Sequence, residues 1–135
     1  MSRYLLDTDT ARAGIRGDPQ LDGRLARGTA VWAVSAVTRA ELRFGLALKP
    51  QALNLARRVE GFLAAAVTLP WDEAAADAHG HLRALLRQRG TPIGVYDEMI
   101  AAHALAIGAT VVTNNTRHFS AVPGLLIENW LMAGP

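Results

Sequence analysis

Ala30-Val31-Trp32-Ala33-Val34-Ser35-Ala36-Val37-Thr38-Arg39-Ala40-Glu41 changes its periodicity in mid-run. Ala30 to Val34 is a short apolar stretch of the kind that forms a buried strand. Ser35 then stands where a helix N-cap belongs, and Val37, Ala40, Glu41, Phe44 and Leu48 follow at helical spacing. The pattern recurs in both directions. Tyr4-Leu5-Leu6 closes on Asp7, and Thr8 to Arg27 reads as two helices broken at Gly17-Asp18-Pro19. Pro50 predicts the start of a helix running to about Ala66, and Val67-Thr68-Leu69 a minimal strand. Asp72 caps a long helix ending at Gly90; a second helix runs from about Tyr96 to Ile107 and stops at Gly108. Thr110 to Thr113 and Leu125-Leu126-Ile127 complete the strands, with Asn114-Asn115-Thr116 as a turn. Short strands alternating with helices call for a central parallel sheet with helices on both faces. One α/β domain over residues 1–135 is expected, without repeats or linkers.

Composition narrows the function. The 135 residues are 50% hydrophobic and 19% charged, values of a folded domain rather than a disordered chain. With no cysteine, a thiolate nucleophile, a zinc–cysteine site and an iron–sulfur cluster are all excluded. The longest apolar run, Phe62 to Leu69, falls far short of the roughly 20 residues of a membrane helix. Arg3, Asp7 and Asp9 interrupt the place of a signal-peptide core, so a cytoplasmic protein is expected. Net charge is +2, and Lys49 is the only lysine among fourteen basic residues. Arginine's planar fork suits phosphate and guanine edges, hence a nucleic-acid partner; an arginine-rich genome explains the same bias.

The acids are placed more tellingly. In open α/β sheets ligands bind beyond the carboxyl ends of the strands. Asp7 ends the first strand. Glu41 shares the apolar stripe of its helix with Val37 and Phe44, and Asp97 lies in a first turn beside Ile100, Ala101 and Ala104. Carboxylates on apolar faces are costly unless they are paired or hold a metal. Hard oxygen donors without sulfur or clustered histidine suit Mg2+ or Mn2+. Plainer readings exist for each residue: a strand-end turn for Asp7, a partner at Arg39 or Arg43 for Glu41, a helix-start charge for Asp97. Asp72 and Glu73 are explained by capping and Asp77 by solvent. His79, His81 and His103 form no ligand pattern, and His118, though near the site, reads chiefly as structural.

Tyr4-Leu5-Leu6-Asp7-Thr8, Val34-Ser35-Ala36-Val37-Thr38-Arg39-Ala40-Glu41-Leu42, Thr91-Pro92-Ile93-Gly94-Val95-Tyr96-Asp97-Glu98-Met99-Ile100-Ala101-Ala102 and Val112-Thr113-Asn114-Asn115-Thr116-Arg117-His118-Phe119 together resemble the PIN-domain ribonucleases. Within them the resemblance is to the VapC toxins of type II toxin–antitoxin systems, and it extends to Glu128-Asn129-Trp130. It implies a PIN-like fold and a Mg2+-dependent endoribonuclease acting on structured RNA such as a tRNA, with the initiator tRNA anticodon loop as a target of one branch. It also implies a homodimer neutralised by a VapB-type antitoxin that covers the acidic cleft with an arginine and lays an apolar helix on the first helices. Asp7, Glu41 and Asp97 match the three acidic positions of the family, and Asn115 the fourth, where many members carry aspartate. Asp7 and Asp97 would hold the metal. Glu41 would hold or deprotonate a water, and Thr113, Asn114, Asn115 and Thr116 would bond around the metal or the phosphate. Arg12, Arg43 and Arg117 are candidate RNA contacts. Asp9 stands where the family usually has asparagine; it reads as a cap of the first helix, with an added carboxylate near the metal as the alternative.

Two other functions remain open at this point. A non-catalytic RNA-binding module would tolerate the amide at Asn115. An aspartate-dependent phosphotransfer enzyme would use Asp7-Thr8-Asp9-Thr10, but it needs a late lysine, and Lys49 lies between helices.

Overall fold

The computed structural model describes residues 3–28 and 31–131. In chain order the elements are β1 (Arg3–Leu6), α1 (Thr8–Arg16), α2 (Pro19–Ala26), β2 (Val31–Ser35), α3 (Ala36–Ala47), α4 (Leu53–Ala65), β3 (Val67–Leu69), α5 (Glu73–Gln88), α6 (Val95–Ile107), β4 (Thr110–Val112), α7 (Thr116–Phe119) and β5 (Ile127–Glu128). The strands form one parallel sheet in the order β3-β2-β1-β4-β5. β1 is central, with Leu5 facing Ala33 of β2 on one side and Val111 of β4 on the other. The chain steps outward from β1 to β3, then returns past β1 to β4, so the winding reverses there and a crevice opens at the carboxyl ends.

Successive side chains of a strand point to opposite faces, and here each pair of neighbours feeds a different core. Leu6, Val34 and Val112 pack with Ala11, Ile15, Leu21, Leu42, Val59 and Leu63 on the α1–α4 side. Leu5, Ala33 and Val111 pack with Leu82, Leu86, Ile100, Ala101, Ala104 and Phe119 on the other. Both faces being covered explains why the strands are mostly apolar rather than strictly alternating.

The sequence reading of the elements needs three adjustments. Pro50 does not open α4: it lies in a turn, and the helix begins at Leu53 after Ala52. The last strand is Ile127–Glu128, because Leu125 and Leu126 belong to the approach, where Leu126 only lends its carbonyl to the Val111 N–H. The turn at Asn115 leads into a short helix, α7, that was not anticipated. Ala30, read as part of the second strand, lies outside the described residues.

Glycines at two positions follow different physics. Gly108 ends α6 with φ +68°, the left-handed conformation that costs an L-residue roughly 1–2 kcal/mol. Gly80 sits in the body of α5 with open space where a Cβ would stand. Gly80→Ala is therefore expected to stabilise the fold by roughly 0.5–1 kcal/mol and Gly108→Ala to destabilise it by about 1 kcal/mol. Urea midpoints that moved in the same direction would contradict this reading.

Candidate active site

Asp7 follows the last residue of β1, and its N–H still donates to the Val112 carbonyl at 3.0 Å, which holds it in register with β4. Its side chain is the N-cap of α1, accepting the Thr10 N–H at 2.9 Å. The residue is 2% exposed. Burial pushes its carboxyl above the ordinary range, the Thr113 hydroxyl and the Thr10 N–H pull it back, and the charge of Asp9 raises it again. Thr113, the first residue after β4 and fully buried, also accepts the Asn115 N–H at 2.8 Å.

Asp97 enters from the first turn of α6. A helix N-terminus favours a negative charge. Even so, its carboxyl is pushed up to about 6, first by desolvation and then by the charge of Asp7, with Glu41 and Asp9 adding to it and His118 opposing. Asp97 thus feels the charges of three other acids at this end of the sheet. Glu41 reaches it from α3, where its Oε1 accepts the Thr8 hydroxyl at 2.6 Å; that hydroxyl also lies 3.1 Å from the hydroxyl of Thr38. Neither Arg39 nor Arg43 takes Glu41: Arg39 reaches the Thr68 hydroxyl, and Arg43 pairs with Glu60 on α4.

A cleft of about 270 Å3 runs between Thr8, Asp9, Arg12 and Glu41 on one wall and Ile93 to Asp97 on the other. Asp9 is not the helix cap the sequence suggested, because Asp7 has that place; Asp9 is exposed in the first turn and pairs with Arg12 at 3.0 Å. Beyond Ile93 a second cavity of about 360 Å3 contains Asn115, Arg117 and His118. His118, read as structural, is instead part of the site: its Nδ1 lies 3.4 Å from Asp97 Oδ2 and 3.0 Å from the Asn115 amide. Thr113, Asn115 and His118 therefore join Asp7 to Asp97 in one chain of polar contacts. Arg43 lies outside both cavities, and Asn114 and Thr116 are exposed.

The remaining histidines separate. His103 is buried in α6 and bonds the Ser35 hydroxyl at 2.9 Å, tying α6 to the end of β2, and burial lowers its pKa so that it stays neutral. His79 faces Glu98, an acid that sequence reasoning passed over. Glu98 is 5% exposed, with His79 Nε2 at 3.4 Å and Arg83 Nε at 3.9 Å. Its only sequence signal is membership of a helix with few other polar positions to spend on solvent.

Among the described residues no three acids or histidines already surround one point as metal ligands. Asp7 is turned to its cap, Glu41 to Thr8, and Asp97 toward His118. Nevertheless the donor set fits a hard divalent cation, because it is all oxygen and its mutual repulsion lifts Asp97.

A raised carboxyl binds a proton more tightly folded than unfolded, so its contribution favours folding below the ordinary value of 3.8 and is lost as pH rises through about 6. Asp97 is about one-third exposed, which reduces the effect to roughly 1–2 kcal/mol. In EDTA, Asp97→Asn is expected to melt above the parent at pH 8 and to lose that advantage below about pH 4. A difference independent of pH would refute the raised carboxyl of Asp97.

Residues 4–125 match the family described as PIN domain. The chain is 41% identical to the tRNA(fMet)-specific endonuclease VapC of Salmonella typhimurium, over 96% of this chain and 99% of that protein. Its backbone resembles the toxin–antitoxin complex VapBC2 from Rickettsia felis, crystallised on a DNA fragment from its promoter, with a TM-score of 0.89, 30% identity and coverage of 95% and 98%. The DNA-bound VapBC of Salmonella typhimurium gives 0.86, with 39% identity and coverage of 96% and 99%. Matched over nearly its whole length in sequence and in fold, the chain belongs to the PIN-domain family and, within it, to the VapC ribonucleases.

Proposed function

We propose that this chain is the endoribonuclease toxin of a VapBC pair and that it hydrolyses phosphodiester bonds of structured RNA in a Mg2+-dependent reaction. The observation that carries the reading is the cleft at the sheet's carboxyl end, lined by Asp9, Glu41 and Asp97 and close to the buried Asp7, where burial and neighbouring charge raise the carboxyls of Asp7 and Asp97. Such a cluster is expensive as structure and suited to a cation. Asp7 and Asp97 are the residues proposed to hold Mg2+, with Mn2+ as a substitute. The ion supplies Lewis-acid polarisation of the phosphate and a lowered pKa for water.

The protein's own groups do the rest. Glu41, fixed by Thr8, orients a water and takes its proton. Asn115 and His118, bonded to each other, present donors to a phosphate oxygen from the far side of Asp97. Arg12 and Arg117, which line the two cavities, face the flanking phosphates; Arg43, paired with Glu60 outside both cavities, is a more distant candidate for such a contact. The tRNA(fMet) specificity for which the Salmonella relative is named supports initiator tRNA as the target to test first.

A VapB-type antitoxin is the proposed regulator. A groove of about 480 Å3 between α1, α3 and α4 offers Ile15, Leu42, Leu46 and Leu55 to an apolar helix, with Phe44 and Leu48 exposed beside it. It shares Arg12 and Glu41 with the acidic cleft, so an arginine following that helix would enter the cleft. A homodimer, as in the implied family arrangement, belongs to the same reading, and light scattering of the purified chain tests it.

Cleavage of initiator tRNA is expected to require Mg2+, to stop in EDTA and to fall by about a hundredfold or more in Asp7→Asn and Asp97→Asn. Unimpaired cleavage by either folded variant would sink the assignment. Asn115→Asp, which adds a charge beside His118 and Asp97, is expected to tighten Mg2+ binding several-fold by calorimetry. Unchanged affinity would place Asn115 outside the ion's reach.

A further inference from the structure

Behind the loop that leads into α6 lies a third cavity, of about 410 Å3, lined by Arg83, Arg87, Gly90, Pro92, Gly94, Val95 and Glu98. Gly94 and Val95 border both this cavity and the acidic cleft, so a strand lying in the cleft meets the cavity by crossing one turn of backbone. Gly90, Pro92 and Gly94 line it without long side chains. The one acid within it is Glu98, nine-tenths buried, and both of its polar contacts fall on Oε1. Oε2 has no hydrogen-bond donor among the described residues. With His79 at 3.4 Å and Arg83 at 3.9 Å both on Oε1, and with Oε2 not among the sealed, unpartnered atoms, the second oxygen opens to the cavity and can accept donors from a bound molecule.

A carboxylate offers two acceptors and no donor. Phosphate is therefore the wrong partner for Glu98, while the exposed Arg83 and Arg87 suit one. Single-stranded RNA presents unstacked bases that stack on guanidinium planes and bond along their edges. Of the four bases, guanine alone sets two adjacent N–H donors, N1–H and the 2-amino group, on that edge. Adenine and cytosine place an acceptor beside the donor, and uracil flanks its single donor with two carbonyls.

We propose that this cavity is a guanine subsite for the RNA strand occupying the cleft, with Glu98 accepting from the base edge and Arg83 and Arg87 contacting the adjoining phosphate. The inference rests on the endoribonuclease reading above, and it makes Glu98 a substrate-binding residue next in sequence to Asp97. A site built to hydrogen-bond a base rejects one that leaves its acceptor unpaired.

Two measurements test it. Backbone amide NMR titrations of the purified protein with 5′-GMP and 5′-AMP are expected to show GMP binding at least fivefold more tightly, with shifts at Gly94 and Glu98. Glu98→Gln, close in shape, should abolish that preference; Arg87→Ala, an exposed change that spares the fold, should weaken GMP binding. In cleavage of a guanine-containing RNA, Glu98→Gln should raise KM at least tenfold while kcat stays within about threefold, a split that mere loss of structure would not give. Equal binding of GMP and AMP, or GMP preference that survives in Glu98→Gln, overturns the proposal. GMP binding without any change in RNA KM overturns it as well, marking a site for free nucleotide. The parent chain run in parallel separates the two readings: no Mg2+-dependent RNA cleavage by the parent removes the nuclease assignment and the subsite with it, whereas cleavage by the parent with an unchanged Glu98→Gln removes only the guanine subsite.

Discussion

One carboxylate serves two structures at once. Asp7 accepts the Thr10 N–H that starts α1, and it closes the strand at the centre of the sheet while its own N–H continues the ladder to Val112. The cap fixes where the helix begins, and the ladder fixes where the carboxylate stands. Between them they bury a charge, and that burial is tolerable because the Thr10 N–H and the Thr113 hydroxyl compensate part of the lost hydration. Everything else at this end of the sheet is arranged around that charge. Asp97 arrives on a helix N-terminus, which offsets some repulsion, yet its carboxyl still stands near 6.

The backbone between α5 and α6 organises the surface above those acids. Ile93 to Val95 separate the acidic cleft from the cavities that contain His118 and Glu98. The turn passes through Gly94 at φ +91°, a conformation open to glycine and strained for side chains. His103 pins the body of α6 to Ser35, so Asp97 and Glu98 are held from behind, one facing the cleft and the other the cavity beside it. In the proposed function this gives one short segment three tasks: it walls the site, carries a metal-holding acid and carries a base-reading one. An antitoxin helix in the groove beside α1 would touch the same Arg12 and Glu41 that border the cleft, so partner and substrate would compete for shared side chains.

The sequence by itself determined the order of elements, the parallel sheet and the places where acids end strands or begin helices. These follow from local rules, namely apolar runs, caps and glycine stops, and those rules act over a few residues: Ser35, Asp72 and Gly108 do in the fold what their positions announced. What failed locally were ends governed by neighbours. Pro50 suits a first turn, but it lies in the turn before α4, which begins at Leu53, and β5 is shifted because only Ile127 and Glu128 find partners on β4. Tertiary structure alone decided the contacts across the chain. Asp7 rather than Asp9 became the cap because β1 ends there; Arg43 pairs with Glu60 of α4; and His118 meets Asp97 because α7 follows the turn at Asn115. Glu98 was hidden for the same reason. Its burial depends on α5 lying along α6, a contact between residues some twenty positions apart that no periodicity encodes.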